Sequence, residues 1–399
     1  MYNLRRFALI LTILISAACG HCRRYTVLVS LDGFRWDYAQ AYDAPFLDRL
    51  GQEGVKAVMR PSFPSVTFPN HYTLATGLVP DHHGIIANRF RDEASGLTFS
   101  LGDKTTKQDP RFWGGEPVWL TLQRQGVKTG VVYWPGSDVA IQGKYPTYYK
   151  DYERKPLLTY SERIAEVLRL LRLPEADRSQ LVMAYFEEPD HTGHVTGPFS
   201  HETKRMVERM DALMEELVGG LRALPEADSI NVIITADHGM TALSPERLVR
   251  PSDYLKAEWY DRIDYGLPTL IFPRKGCAEK ILKALDGVPH IRAYRKDQVP
   301  EYLHYGSNVN IGDVVVIPDL GWTIGEQAPT LKGTHGFDPT SGDMHVLFRA
   351  AGPDFKTGYV KTETFPNVDV YPLLCHLMGV TPAANDGTLD EVTDLLKQQ

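Results

Sequence analysis

Thr67 stands in the stretch Pro64-Ser65-Val66-Thr67-Phe68-Pro69-Asn70-His71, and acidic and imidazole side chains recur at the ends of apolar runs elsewhere in the chain. Asp32 ends the run of residues 25–31, and Asp237 and His238 end the run of residues 230–236. Asp190 and His194 follow a third run, residues 181–186, and His335 lies far downstream in Lys332-Gly333-Thr334-His335-Gly336-Phe337. Carboxylates and imidazoles gathered at strand ends are costly in a core but natural ligands for a pair of metal ions. A threonine hydroxyl is a poor nucleophile until its pKa is lowered, which a metal ion can do. These residues read as a two-metal hydrolytic centre with Thr67 as nucleophile. Ser62 and Ser65 are rival hydroxyls in the same stretch. Thr67 is preferred because Phe68-Pro69-Asn70 reads as a helix start, and a helix N-terminus favours an anionic phosphoryl group. Asn88, in Gly84-Ile85-Ile86-Ala87-Asn88-Arg89-Phe90, is an uncharged donor suited to a non-bridging phosphate oxygen.

The elements that must position these groups follow from hydrophobic patterning. Residues 26–31, 129–133, 181–186, 230–235 and 314–317 are apolar and β-rich, several of them continuous rather than alternating, as in strands buried on both faces. Residues 160–171 carry Ile164, Val167, Leu168 and Leu171 at helical spacing, and residues 203–221 carry Met206, Met210, Leu213, Leu217 and Leu221. This alternation predicts an α/β fold with a mostly parallel central sheet, helices on both faces and ligands at the carboxyl ends of strands. Asp32, Asp190 and Asp237 all fall at such ends. Residues 248–325, richer in aromatic and charged side chains, read as a small subdomain inserted in a catalytic domain spanning 24–399. Residues 370–378 predict a last helix, with Gly379 as its C-cap.

The chain has 399 residues and a formal net charge of -7 with both signs mixed, so no basic block marks a nucleic-acid binder, and a small-molecule substrate is expected. Arg5 and Arg6 precede an apolar run, residues 7–18, that ends in Ser16-Ala17-Ala18. Residues 1–22 therefore read as a signal peptide of a secreted or periplasmic protein, the run being too short for a comfortable transmembrane helix. Cys19 directly after the small residues offers an alternative, a lipid anchor. Of the other cysteines, Cys22 falls in the same segment, and Cys277 and Cys375 are open to one disulfide or to two free thiols.

Six segments in order, Thr67-Phe68-Pro69-Asn70-His71, Gly77-Leu78-Val79-Pro80-Asp81-His82-His83-Gly84-Ile85, Trp134-Pro135-Gly136-Ser137, Glu188-Pro189-Asp190, Ala236-Asp237-His238-Gly239-Met240 and Gly333-Thr334-His335-Gly336-Phe337, resemble the nucleotide pyrophosphatase/phosphodiesterase family of the alkaline phosphatase superfamily. The resemblance spans residues 26–387. It implies an alkaline-phosphatase-like fold and two zinc ions, one held by Asp190, His194 and His335, the other by Asp32, Thr67, Asp237 and His238. It also implies that Thr67 attacks phosphorus in line and forms a covalent nucleotidyl-threonine that is hydrolysed to a nucleoside 5′-monophosphate. Asn88 and the backbone N–H beside Thr67 would steady the non-bridging oxygens. Phe68 and Tyr152 would sandwich the base, and Trp134 would be pocket wall or core. A choline-lipid phosphodiesterase would use the same metal site and is the competing expectation. A non-catalytic binding protein of this fold would lack Thr67 or a ligand, and this chain retains them all.

Overall fold

The computed structural model describes residues 23–398, so the expected signal segment, with Cys19 and Cys22, lies outside the described residues. Strand β1 (Tyr25–Leu31) is buried along its whole length. The other main-sheet strands are β2 (Val55–Arg60), β3 (Thr129–Val132), β4 (Tyr148–Lys150), β5 (Leu181–Phe186) and β6 (Ile230–Thr235). A smaller sheet supplies β7 (Tyr260–Asp264), β8 (Thr269–Pro273), β9 (Ile291–Arg295) and β10 (Val314–Pro318), before β11 (Val346–Ala351), β12 (Tyr359–Val360) and β13 (Phe365–Pro366) return to the main one. The main order is β12-β2-β11-β6-β1-β5-β3-β4, with β13 also on β2. β1 runs parallel to β5, with Leu31 opposite Phe186, and parallel to β6, with Ser30 opposite Thr235. These registers bring the carboxyl ends of three strands level, and Asp32, Asp190 and Asp237 all lie just beyond them. β11 alone runs antiparallel, against both β2 and β6. The sheet is thus mostly parallel, as the patterning predicts.

Two groups of helices cover the sheet. α1 (Pro45–Glu53), α3 (Tyr160–Leu171) and α4 (Asp190–Thr196) each pack against α5 (His201–Arg222), while α2 (Thr67–Thr76) packs with α7 (Val370–Leu377). In α5, Met210, Met214, Leu217 and Leu221 fall at spacings of four and three and are buried. Burying each such side chain stabilises the fold by roughly 1.5–3 kcal/mol. The expected run at 314–317 is a strand, β10, but it belongs to the smaller sheet, ordered β7-β8-β10-β9 and antiparallel throughout. Its period of two explains both placements. Val314 and Val316 face a separate apolar cluster with Ile281 and Leu285 of α6 (Ala278–Leu285), whereas Val315 and Ile317 join the main core. Cys277 is half-buried beside α6 and Cys375 is buried in α7; both are free thiols.

The first turn of α1 has no side-chain cap of its own at Ala44. Asp211 of α5 fills that role from across the helix pair, accepting from the amides of Phe46 at 3.0 Å and Leu47 at 2.7 Å. Asp211→Ala leaves two buried N–H groups without acceptors and is expected to lower stability by about 2–4 kcal/mol. Denaturant midpoints with unchanged slopes would measure it. A loss below about 0.5 kcal/mol would mean that solvent replaces the carboxylate.

Candidate active site

Val66 is extended and Thr67 begins α2, so the hydroxyl stands at a helix N-terminus. Thr67 Oγ1 is 3.1 Å from His238 Nε2. Asp32 and Asp237 complete a group with His238 in which the ligand atoms lie within 4.8 Å of one another, and Asp190, His194 and His335 form a second such group. The two groups adjoin, since the rings of His238 and His335 stack with centroids 3.4 Å apart. All seven residues expected to hold metal are therefore brought together in two triads with Thr67 beside one of them.

Each imidazole of the site is oriented in the same way. His238 Nδ1 donates to Gly239 O at 2.9 Å, His194 Nδ1 to Gly333 O at 2.8 Å, and His335 Nδ1 to Ser65 O at 3.0 Å. A carbonyl only accepts, so the ring proton is on Nδ1 and the Nε2 lone pair turns inward. The Nε2 atoms of His194 and His335 approach to 3.2 Å. His335 is held well below the usual imidazole range by burial and by the neighbouring His238 and His194, which keeps it neutral. Asp32 is pushed well above the usual carboxylate range by burial and then by the charges of Asp237 and Asp190. Burial acts on Asp237 in the same direction, but His238 and His71 beside it outweigh that and bring it well below its ordinary value. Among the described residues, Asp32 Oδ1, Asp190 Oδ1 and Asp237 Oδ2 are buried oxygens with no hydrogen-bond partner. Unpartnered carboxylate oxygens facing imidazole lone pairs fit a cation in each triad, and this donor set with its main-chain supports suits zinc.

Glycines permit the convergence. A Cβ on Gly33, which has φ +68, would lie 2.9 Å from Asp190 Cα. The Gly33 amide donates to Asp237 Oδ1 at 3.2 Å, tying the loops after β1 and β6. Gly239 is needed for close approach, since its Cβ would stand 2.0 Å from the carbonyl oxygen of Asp343. Ser65, a rival nucleophile, is fully buried and is spent on the scaffold, accepting from the Gly336 amide and donating to Phe337 O at 2.8 Å. Ser62 donates to Asn367 instead.

Sequence reasoning missed two supports. His71 Nδ1 donates to Thr67 O at 2.9 Å, lies 3.3 Å from Asp237 Oδ2, and places Nε2 2.8 Å from Ser30 Oγ. Tyr185 donates to Asp32 Oδ2 at 2.7 Å. For Tyr185 the signal was a polar group in an otherwise apolar buried strand, whereas His71 lies among other polar side chains of α2 and gave none. The backbone amide beside Thr67, expected to face a non-bridging oxygen, is tied to Asn88 instead. The Phe68 N–H donates to Asn88 Oδ1 at 3.0 Å, so that amide orients Asn88 and leaves the side-chain nitrogen as the free donor.

Beside the triads opens a cavity of about 240 Å³ lined by Phe68, Tyr152, Tyr133, Tyr185 and Trp134 among others. Tyr152 is braced edge-on by Tyr133, centroids 5.4 Å apart, and by Tyr185 at 6.3 Å. Trp134 is both wall and core, buried with Nε1 donating to His71 O at 2.9 Å.

A sequence model of the family described as Type I phosphodiesterase / nucleotide pyrophosphatase matches residues 26–338. Human ectonucleotide pyrophosphatase/phosphodiesterase family member 5 is 36% identical over 375 residues, covering 93% of this chain and 77% of its own length. The rat family member 7 is 38% identical over 376 residues, covering 90% of this chain and 84% of its own. Against a venom phosphodiesterase of Crotalus durissus collilineatus, 37% identical, the chain spans 46% of the relative's length. Among solved structures, the murine family member 5, as an inactive threonine-to-alanine variant in complex with AMP, superposes with a TM-score of 0.88 at 35% identity, covering 94% of this chain and 100% of that one. The architecture is that of the alkaline-phosphatase-like α/β class. Within it, the chain belongs to the type I phosphodiesterase / nucleotide pyrophosphatase family and is an enzyme.

Tyr185→Phe keeps the ring against Tyr152 and His71 but removes the proton given to Asp32. Loss of such a support typically weakens metal binding 10–100-fold. The expected outcome is a loss of that order in zinc affinity by competitive chelator titration. Unchanged affinity would show that Asp32 needs no such anchor.

Proposed function

We propose that the chain hydrolyses nucleotide phosphodiester and pyrophosphate bonds in a zinc-dependent reaction, releasing nucleoside 5′-monophosphates through a covalent bond to Thr67. The observation that carries this reading is the placement of Thr67 Oγ1 against His238 Nε2, at the end of a cavity walled by Phe68 and Tyr152. Asp32, Asp237, His238 and Thr67 would hold one zinc and Asp190, His194 and His335 the other. Bound there, the ions would lower the pKa of the threonine hydroxyl and offset charge on the leaving oxygen. The protein's own groups do the rest. His71 holds the Thr67 carbonyl and lies beside Asp237. The start of α2 favours the anionic phosphoryl group, and the Asn88 side-chain nitrogen donates to a non-bridging oxygen. The Thr67 oxygen bonds to phosphorus as the ester bond opposite breaks, and water then cleaves the threonyl ester. Two in-line displacements restore the original configuration at phosphorus.

The cavity favours a nucleotide over a choline lipid. Flat rings at Phe68 and Tyr152 suit a base of either type, while the lysines lining the cavity are paired, Lys107 with Glu153 and Lys150 with Glu166. The murine relative described in complex with AMP supports the same choice. We further read the protein as exported, as the sequence of residues 1–22 implies; no helix of the described residues is long and apolar enough to cross a membrane.

Thr67→Ala is expected to cost at least roughly three decades in kcat while elemental analysis still finds two zinc equivalents, because three protein ligands remain in each triad. Substantial residual diesterase activity would sink the assignment of the nucleophile. Tyr152→Ala should raise KM for nucleotide esters by roughly one to two decades, the stack being worth about 1–3 kcal/mol, and leave a small aryl phosphodiester almost unaffected. Equal losses on both substrates would make Tyr152 a packing residue only.

A further inference from the structure

Trp113 does not line the cavity, yet it touches three of the parts that do. Its ring lies behind Phe68, with centroids 6.0 Å apart and planes inclined at 52°. Its Nε1 donates to the carbonyl of Lys107 at 2.9 Å, and the Lys107 side chain lines the cavity. On a third side it meets the loop after β3. A Cβ on Gly136, which has φ +86, would lie 2.7 Å from Trp113 Cζ3, and Pro135 and Ser137 on either side of Gly136 line the cavity. The indole itself is pinned. Tyr72 of α2 meets it edge-on at 4.8 Å and 88°, and Tyr72 donates to the neighbouring Gly114 carbonyl at 2.8 Å. Trp113 is 4% exposed, so its position is set by packing rather than by solvent.

We propose that Trp113 is the positioning residue that sets the width of the base slot, and through it the preference for esters that carry a nucleobase. The proposal rests on the nucleotide reading above. Stacking between two walls tolerates little slack, because a gap of about 0.5–1 Å on one face forfeits a quarter to a half of the contact energy there. One rigid indole that bears on Phe68, on residue 107 and on the 135–137 loop holds these three walls at a common distance. A side chain acting in this way changes how tightly the ring is held and leaves Thr67 and both triads alone, since none of the contacts of Trp113 reaches them.

Trp113→Phe removes the N–H and the half of the indole that meets Gly136. With the thymidine 5′-monophosphate p-nitrophenyl ester, KM is expected to rise roughly tenfold with kcat within about threefold, a decade being within the worth of one base stack. With bis(p-nitrophenyl) phosphate, which has no base, kcat/KM should stay within about threefold, and this also reports a folded, loaded site. Gly136→Ala, which presses on the same ring from the loop, should reproduce the selective rise. Equal losses on both substrates in both variants, or no change in either, would overturn the proposal. A wild-type enzyme without preference for the nucleotide ester would overturn the nucleotide reading and this proposal together. A wild-type preference that survives intact in both variants overturns the proposal alone.

Discussion

Three ring protons given to three main-chain carbonyls decide what this end of the sheet can be. Because His194, His238 and His335 each donate through Nδ1, their Nε2 lone pairs turn toward Asp32, Asp190 and Asp237. Two like charges about 4 Å apart repel by roughly 4 kcal/mol at an effective dielectric near 20. Three carboxylates in one buried cluster therefore strain against one another, and burial together with the charges of Asp237 and Asp190 pushes Asp32 above its ordinary range. The loops carrying them are cross-tied to match: the Gly33 amide to Asp237, Tyr185 to Asp32, and His71 to the carbonyl of Thr67. Much of the local architecture exists to hold charge where it would not go unaided.

The same ties join the reacting end to the cavity. Tyr185 gives its proton to Asp32 and its ring edge to Tyr152. Trp134 gives its N–H to the carbonyl of His71 and forms a wall of the cavity. Arg163 stands behind, buried, donating to Tyr185 O and paired with Glu187, its guanidinium 4.9 Å from the Tyr133 ring centre. The chemistry and the recognition of the substrate thus share supports, so few residues near either serve only one.

Local patterning made much of this readable. β1, β5 and β6 are continuous apolar runs, so their ends, and the acids just beyond, announce themselves without knowledge of the fold. The amphipathic stripes of α3 and α5 are equally plain. Strands β2 and β11 were not legible. β2 alternates between buried and half-buried positions, and β11 contains Arg349, buried and brought down to about 10 by burial, which disguises a core strand as a polar one. The placement of β10 turns on which sheet accepts a five-residue valine-rich strand, a question of tertiary pairing. Within the site, residue types pointed to the members of the two triads, while Tyr185, His71, Ser65 and Trp113 act through contacts 41 to 272 residues apart or through ring packing, which spacing along the chain cannot encode.

The acceptors that orient the three imidazoles belong to Gly239, Gly333 and Ser65, and in each case the accepting atom is main chain. No change of side chain deletes a carbonyl. Genetic drift around the centre can therefore exchange most neighbours without resetting which nitrogen faces inward. The cavity walls, built from Phe68, Tyr133 and Tyr152, have no such protection, since the rings they present are side chains that a single codon change removes. A lineage built on this frame inherits its reactive centre almost intact and is free to revise what it accepts.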